Sequence, residues 1–161
     1  MKQILAISML ITAMTLSTLV MAQGGGETPL TATTDIVPVC GLLLNPTGIS
    51  FGSLLQDETS VDQVANVKND GTETTNDLTI AGTDWTPAST PVAFLVDTTH
   101  YAESNIDYDS MTTHLSTTAT TIHGGILSNQ DSFDMHFKLK IPHGVTAASY
   151  TQTITFTSSC D

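Results

Sequence analysis

The stretch FDMHFKLKI, residues 133–141, carries an apolar side chain at every odd position and a polar one at every even position. Successive side chains of a β-strand point to opposite faces, so this alternation predicts a strand with one face on a core. Pro142-His143-Gly144 follows and ends it. A run of this length makes an all-β fold the first expectation.

The end of the chain repeats the pattern with the opposite parity. In residues 150–160 the even positions include Tyr150, Ile154, Phe156 and Cys160, and threonine fills most odd positions. The alternation predicts a strand that turns Cys160 toward the core. Together the two runs are expected to form a long hairpin or a pair of strands in facing sheets.

Shorter apolar runs, separated by turn residues such as Asn69-Asp70-Gly71, precede these strands. Strands are expected within residues 34–39, 49–52, 61–68, 77–81 and 92–96, and less regular ones at 106–108, 114–115 and 121–127. Trp85 follows one of them and is expected to plug one end of the core. About seven to nine strands, with no amphipathic helical pattern after residue 22, predict an antiparallel β-sandwich.

Charge restricts the function. The 161 residues include 4 lysines and no arginine against 16 acidic residues, for a net charge of −12. Nucleic-acid binding is excluded as the main role because it needs clustered cations, and docking on anionic lipid is disfavoured for the same reason. The hydrophobic content of 40% argues against disorder, and the length fits one domain.

The N-terminus has the features of a secretory signal peptide over residues 1–22: Lys2, an apolar stretch, and the small residues Val20 and Ala22 before a cleavage site. The alternative is a transmembrane anchor. Cleavage would leave a secreted protein, extracellular or at the cell surface, with no membrane span. Residues 23–30 follow as a flexible, glycine-rich leader, and residues 31–161 are predicted to form the single domain.

Cys40 and Cys160 are the two cysteines of the chain. An even number in an exported protein predicts a disulfide, with free thiols or an intersubunit bond as the alternatives. An intrachain bond requires the first and last strands to be neighbours or to face each other. The absence of a CxxC motif makes a zinc or haem site at these cysteines a poor interpretation.

Five segments resemble the Ig-like surface domains of secreted archaeal and bacterial proteins. The segments 48–54, 64–71 and 78–82 resemble the opening strands of these domains, and 139–145 and 149–156 resemble the closing hairpin. Ser149 stands where a glycine is common, a small departure. The middle of the chain, residues 86–130, shows no such resemblance.

The resemblance implies an Ig-like antiparallel β-sandwich and a non-enzymatic structural or adhesive role. Members of this group form surface layers, adhesins and filaments, or a biofilm matrix, and some subunits join by donating an N-terminal strand. Residues 31–39 would be that strand here, and the partners would be other copies of the chain or other surface proteins. A bond at Cys40 would tie the end of this strand to its own domain.

Asn105, Asp107 and Asp109 place oxygen donors at alternate positions, as a Ca²⁺-binding loop does. Ser110 and Ser116 replace the glycine and the glutamate of an EF-hand, which excludes that motif. A looser Ca²⁺ site is one interpretation, and a solvated acidic loop is the other. No further cofactor is expected.

Histidines give a second metal hypothesis. His100, His114 and His123 could meet in space to bind Cu²⁺ or Zn²⁺, whereas His136 is expected to be exposed on the polar face of its strand. No HExxH, GxSxG or phosphate-loop motif is present, so an enzyme is not expected. A secreted metal-binding module, for Ca²⁺ or Cu²⁺, is therefore the alternative to a structural surface protein.

Overall fold

The computed structural model describes residues 38–88 and 93–160. The predicted signal peptide (1–22), the leader (23–30) and most of the strand expected at 31–39 lie outside these residues. None of the helical segments in the described part has the length and apolarity needed to cross a membrane.

The described residues form three antiparallel β-sheets, and the strands are numbered here in chain order. The largest has five strands in the spatial order β1 (Leu43–Asn45), β2 (Gln63–Lys68), β8 (Ser132–Leu139), β5 (Thr99–Ala102) and β6 (Thr113–His114). The second has β10 (Ile154–Ser159), β3 (Asp77–Gly82) and β7 (Thr120–Thr121). A two-stranded ladder joins β4 (Thr86–Pro87) to β9 (Tyr150–Thr151). Short 3₁₀ turns cover Val96–Thr98, Tyr108–Ser110 and His123–Gly125.

The predicted all-β class is confirmed. Within the described residues there are ten strands, four of them only two residues long, where about seven to nine were expected. Residues 49–52 form no strand. The strand expected at 106–108 does not form either, because Tyr108 begins a 3₁₀ turn. The two alternating runs do not form a hairpin, since β8 and β10 belong to different sheets.

Strand β8 lies at the centre of the five-stranded sheet. It pairs with β2 on one side and β5 on the other. Met135, Phe137 and Leu139 are buried, whereas His136 and Lys138 lie on the opposite face. Full burial of one such side chain contributes about 1.5–3 kcal/mol, so this strand anchors the sheet.

The main core lies between the two larger sheets, which gives a sandwich-like arrangement. Its buried residues are Ala65, Val67, Leu78, Ile80, Val96, Tyr101, Leu115, Ile122, Leu127, Met135 and Phe137. A second cluster forms around Trp85, Phe94 and Leu139. Trp85 stacks on Phe94 with 5.5 Å between the ring centres and donates its indole N–H to Thr99 Oγ1. Trp85 was expected to plug one end of the core, and the structure places it in a cluster separate from the main core.

The predicted Cys40–Cys160 disulfide is present, with 5.7 Å between the Cα atoms. It closes a loop with a sequence separation of 120 residues, and the chain-entropy model assigns a loop of about this size roughly 4.7 kcal/mol of stabilisation. Cys40 is exposed and Cys160 only partly buried. The bond thus lies at the margin of the core, where the alternation had predicted Cys160 inside.

Candidate functional site

The strands β1 and β10 form the edges of the two larger sheets on the same side of the sandwich. Cys40 lies just before β1 and Cys160 just after β10, so the disulfide joins the two edges at one end. All six residues of β10 pair with β3. Among residues 38–88 and 93–160, no strand pairs with the other side of β10. Within the described part of the chain, this side of the sandwich is therefore open, and it is called the open side below.

The hydrogen-bonding groups at the open edge can be assigned from the register. Thr83 donates its N–H to the carbonyl of Thr153, which makes this a hydrogen-bonded pair. Hydrogen-bonded and non-hydrogen-bonded pairs alternate along an antiparallel ladder, so Thr155 and Thr157 turn their amides toward β3. Phe156 and Ser158 then turn theirs outward. These outward groups are available to a further strand.

Partly buried apolar side chains border the open side. They pack against the main core without being covered by it, and they are Leu42, Leu44, Ile49, Phe51, Ile154 and Phe156. By contrast, Val67 and Leu78 in the centres of the same two sheets are fully buried. The sandwich is thus well covered in the middle and incompletely covered between β1 and β10.

A groove of about 530 Å³ continues the open side past Tyr150. It runs between segments 49–56 and 145–150, and its floor includes Trp85, Phe94 and Ile141. Phe51 packs against both core clusters and so connects the groove with the main core. Although the chain has 16 acidic residues, none of the groove residues is charged. The groove is therefore uncharged, with an aromatic floor and polar side chains such as Ser50, Gln56 and Thr146 in its lining.

Aromatic contacts fix the groove floor. Phe51 meets Trp85 edge-on at 5.9 Å between ring centres, and Tyr150 packs on Phe94 at 5.0 Å. The Tyr150 hydroxyl donates to the carbonyl of Thr146. Such aromatic pairs contribute about 0.5–1.5 kcal/mol beyond the area they bury, so the floor is built before anything binds. The aromatic residues lie far apart in the sequence, and only the strand order reveals that they line one groove.

The residues of the predicted Ca²⁺ site, Asn105, Asp107 and Asp109, lie around the second 3₁₀ turn. Lys138 Nζ donates to Asn105 Oδ1 at 3.1 Å and to the carbonyl of Ile106, so an ammonium group already contacts this loop. Over the described ranges no group of three or more His, Cys, Asp or Glu side chains is arranged to hold a metal ion. Burial, followed by Asp97 and Asp109, raises the pKa of the Tyr108 hydroxyl.

The structure brings two of the three candidate histidines together. His100 on β5 and His114 on β6 are directly paired, whereas His123 lies elsewhere, 3.0 Å from Glu103 and stacked on Phe133. His136 is not freely exposed as expected: 16% of its side chain is accessible, and it lies 2.7 Å from Asp62. Asp62 and the strands on either side of β8 cover His136. The periodicity of the sequence shows which face His136 is on but not its contact with Asp62.

Comparison with models of known protein families and with curated proteins gave no match. The functional assignment therefore rests on the geometry of the open side and on the residue patterns.

Proposed function

We propose that the chain is a non-enzymatic, extracellular structural or adhesive surface protein with an Ig-like domain. In this proposal it assembles into filaments or a matrix, and each subunit receives the N-terminal segment of another copy at its open side. The observation that carries the proposal is the outer edge of β10, which no strand of the described residues pairs with, beside an uncharged groove with an aromatic floor. The signal-like N-terminus and the disulfide support an extracellular setting.

The character of the β10 edge supports strand addition. Proteins usually protect edge strands with lysine, proline, bulges or inward-pointing charges, because unpaired backbone groups recruit other strands. Residues 154–159 read ITFTSS and contain none of these protective residues. An extended peptide that added here would gain main-chain hydrogen bonds, and its alternate side chains would cover Ile154 and Phe156.

The N-terminal sequence supplies a suitable occupant. Residues 30–37 read LTATTDIV, rich in threonine and β-branched residues, and they follow a leader that contains three consecutive glycines. At about 3.3 Å per residue, this segment can cover most of the edge formed by residues 150–159. Its one charged residue is Asp35, so the other seven residues place no charge against the edge or the groove.

Polymerisation tests this assignment directly. The full chain is expected to form filaments that electron microscopy and size-exclusion chromatography detect, whereas a variant lacking residues 23–37 is expected to remain monomeric. A synthetic peptide of residues 29–37 should then bind that shortened variant. A full chain that stays monomeric at every concentration and salt level would contradict the proposal.

A matched pair at the edge separates strand addition from general damage. Ser158→Pro removes an outward N–H of β10 without breaking a bond to β3, and Ser158→Ala keeps that N–H. Assembly and peptide binding are expected to be lost with proline and retained with alanine, at similar thermal stability. Equal assembly by both variants would show that the subunits join at another surface. The groove would then be open to a different occupant, such as a small uncharged ligand.

A further inference from the structure

We propose that His100 and His114 form a binding site for a divalent transition-metal ion, with Cu²⁺ bound most tightly. The two residues are direct partners on the antiparallel strands β5 and β6, and their ring centres are 6.1 Å apart. Imidazole nitrogens bind such ions at about 2.0–2.1 Å, so two rings on one ion have centres no more than about 6.5 Å apart. The pair already lies within this distance.

The ring of His100 is fixed by a contact at one of its two nitrogens. Its Nδ1 lies 3.3 Å from the carbonyl oxygen of Tyr108, which can only accept a hydrogen bond. Nδ1 therefore carries the proton, and Nε2 keeps its lone pair for a metal. Metal-binding histidines commonly have their second nitrogen fixed in this way.

Tyr108 fixes the plane of the same ring. Its phenol stacks on His100 with 4.0 Å between ring centres and 12° between the planes. The Tyr108 hydroxyl is itself anchored, since it donates to the carbonyl of Thr98 at 3.0 Å. Little conformational entropy is left for His100 to lose on binding, and this favours affinity.

His114 provides the adjustable second ligand. It lies on an edge strand and is exposed, so its side chain can rotate toward His100 without disturbing the core. Two imidazoles leave the remaining coordination positions to water or to an outside ligand. Affinity of nitrogen sites rises to Cu²⁺ along the first-row series, which is why this ion is expected to bind best.

The surrounding charges favour a cation. Lys138 faces His100 from β8, but its ammonium group is engaged by Asn105 and Ile106. Asp97 and Asp109 lie close enough to influence the Tyr108 hydroxyl. With a net charge of −12, the whole chain also raises the local concentration of divalent cations.

The test uses the full chain and Cu²⁺ alone. Calorimetric titration and pulsed electron paramagnetic resonance are expected to show one Cu²⁺ bound by two imidazoles. His114→Ala should lower the affinity of this site at least about tenfold and leave one imidazole or none in the spectrum. His143→Ala is the matched control, because His143 is also exposed and lies outside the pair; its affinity and spectrum are expected to match the wild type.

The spectrum also separates this site from the free amino terminus and its glycine-rich leader, which could bind copper through backbone nitrogens. A two-imidazole signal in the wild type that His114→Ala removes supports the proposal. Copper bound with no imidazole signal, or with a signal unchanged in His114→Ala, overturns it. Thermal unfolding of His114→Ala is expected to match the wild type because His114 is exposed on a short edge strand, so a lost signal reports a lost ligand and not a lost fold.

Discussion

At the scale of single residues, buried polar side chains shape the turns of this protein. Asn69 is fully buried, and its amide donates to the carbonyls of Glu73 and Leu127 while its Oδ1 accepts from the Gly71 amide. One side chain thus closes the turn after β2 and connects it to residue 127. The turn motif at residues 69–71 was recognisable in the sequence, but its long-range contact was not.

Asn69→Ala is expected to destabilise the protein by about 2–4 kcal/mol, because it removes three hydrogen bonds and leaves their buried partners unsatisfied. Chemical denaturation measures this change. Asn66→Ala, which removes only contacts on a partly exposed strand face, should cost less than about 1 kcal/mol. Similar losses for the two variants would contradict this account of Asn69.

Alkaline pH is expected to weaken the fold through Tyr101. Burial raises the pKa of its hydroxyl, so the folded state holds this proton more tightly than the unfolded state does. The resulting stabilisation is complete below about pH 10 and is lost as the pH rises through the folded-state pKa. Unfolding free energies measured between about pH 8 and 11 should therefore fall, and fall less in Tyr101→Phe. An identical decline in both proteins would exclude Tyr101 as a source.

At the scale of elements, a central strand and an edge strand are built from the same alternating pattern. β8 is buried by neighbours on both sides, whereas β10 has a neighbour on one side within the described chain. Phe137 on β8 is 1% exposed, and Phe156 on β10, which contacts it edge-on, is only partly buried. The position of a strand in its sheet therefore decides what its apolar residues contribute.

Phe137→Ala is expected to destabilise the monomer by about 3–5 kcal/mol, the usual cost of a large cavity in a core. Phe156→Ala should cost clearly less, since its side chain is incompletely covered. Phe156→Ala is expected to weaken assembly more than it weakens the monomer, because an added strand would cover the Phe156 side chain in the proposed polymer. Denaturation of the monomer and sizing of the polymer measure both effects, and a Phe156→Ala variant that assembles normally would argue against this role.

Periodicity predicted the faces of the strands but not their neighbours. The alternation of residues 133–141 placed Met135, Phe137 and Leu139 on the core, as the structure shows. Residues 49–52 also alternate apolar and polar side chains, yet they form no strand and line the groove. The open edge and the His100–His114 pair depend on strand order and register, which are set by contacts distant in sequence.

At the scale of the whole molecule, charge and assembly oppose each other. With the predicted signal peptide removed, three lysines face sixteen acidic residues, a net charge of −13. Copies of such a chain repel one another at low ionic strength, while the open side that would join them is uncharged along its groove. Any assembly must therefore work against a long-range repulsion with short-range contacts.

Polymerisation is accordingly expected to be slow in about 10 mM salt and to accelerate toward about 150 mM, where the Debye length falls from about 30 Å to about 8 Å. Light scattering at fixed protein concentration follows the rate. The rates in sodium chloride and in a calcium salt are compared at equal ionic strength. Equal rates indicate screening alone, and a faster rate with calcium indicates that Ca²⁺ bridges acidic groups of neighbouring copies. A rate that falls as salt is added would contradict this mechanism.

The Cys40–Cys160 bond also imposes a polarity on strand exchange. A segment that ran back from Cys40 along β10 of its own molecule would pair in the parallel sense, because residues 40 and 160 are fastened together and both chains then recede toward lower numbers. A segment arriving from another molecule has no such tether and is free to pair antiparallel, the slightly more stable arrangement per residue. Besides closing the domain, this covalent link would in this way favour pairing of β10 with the segment of another molecule over pairing with its own.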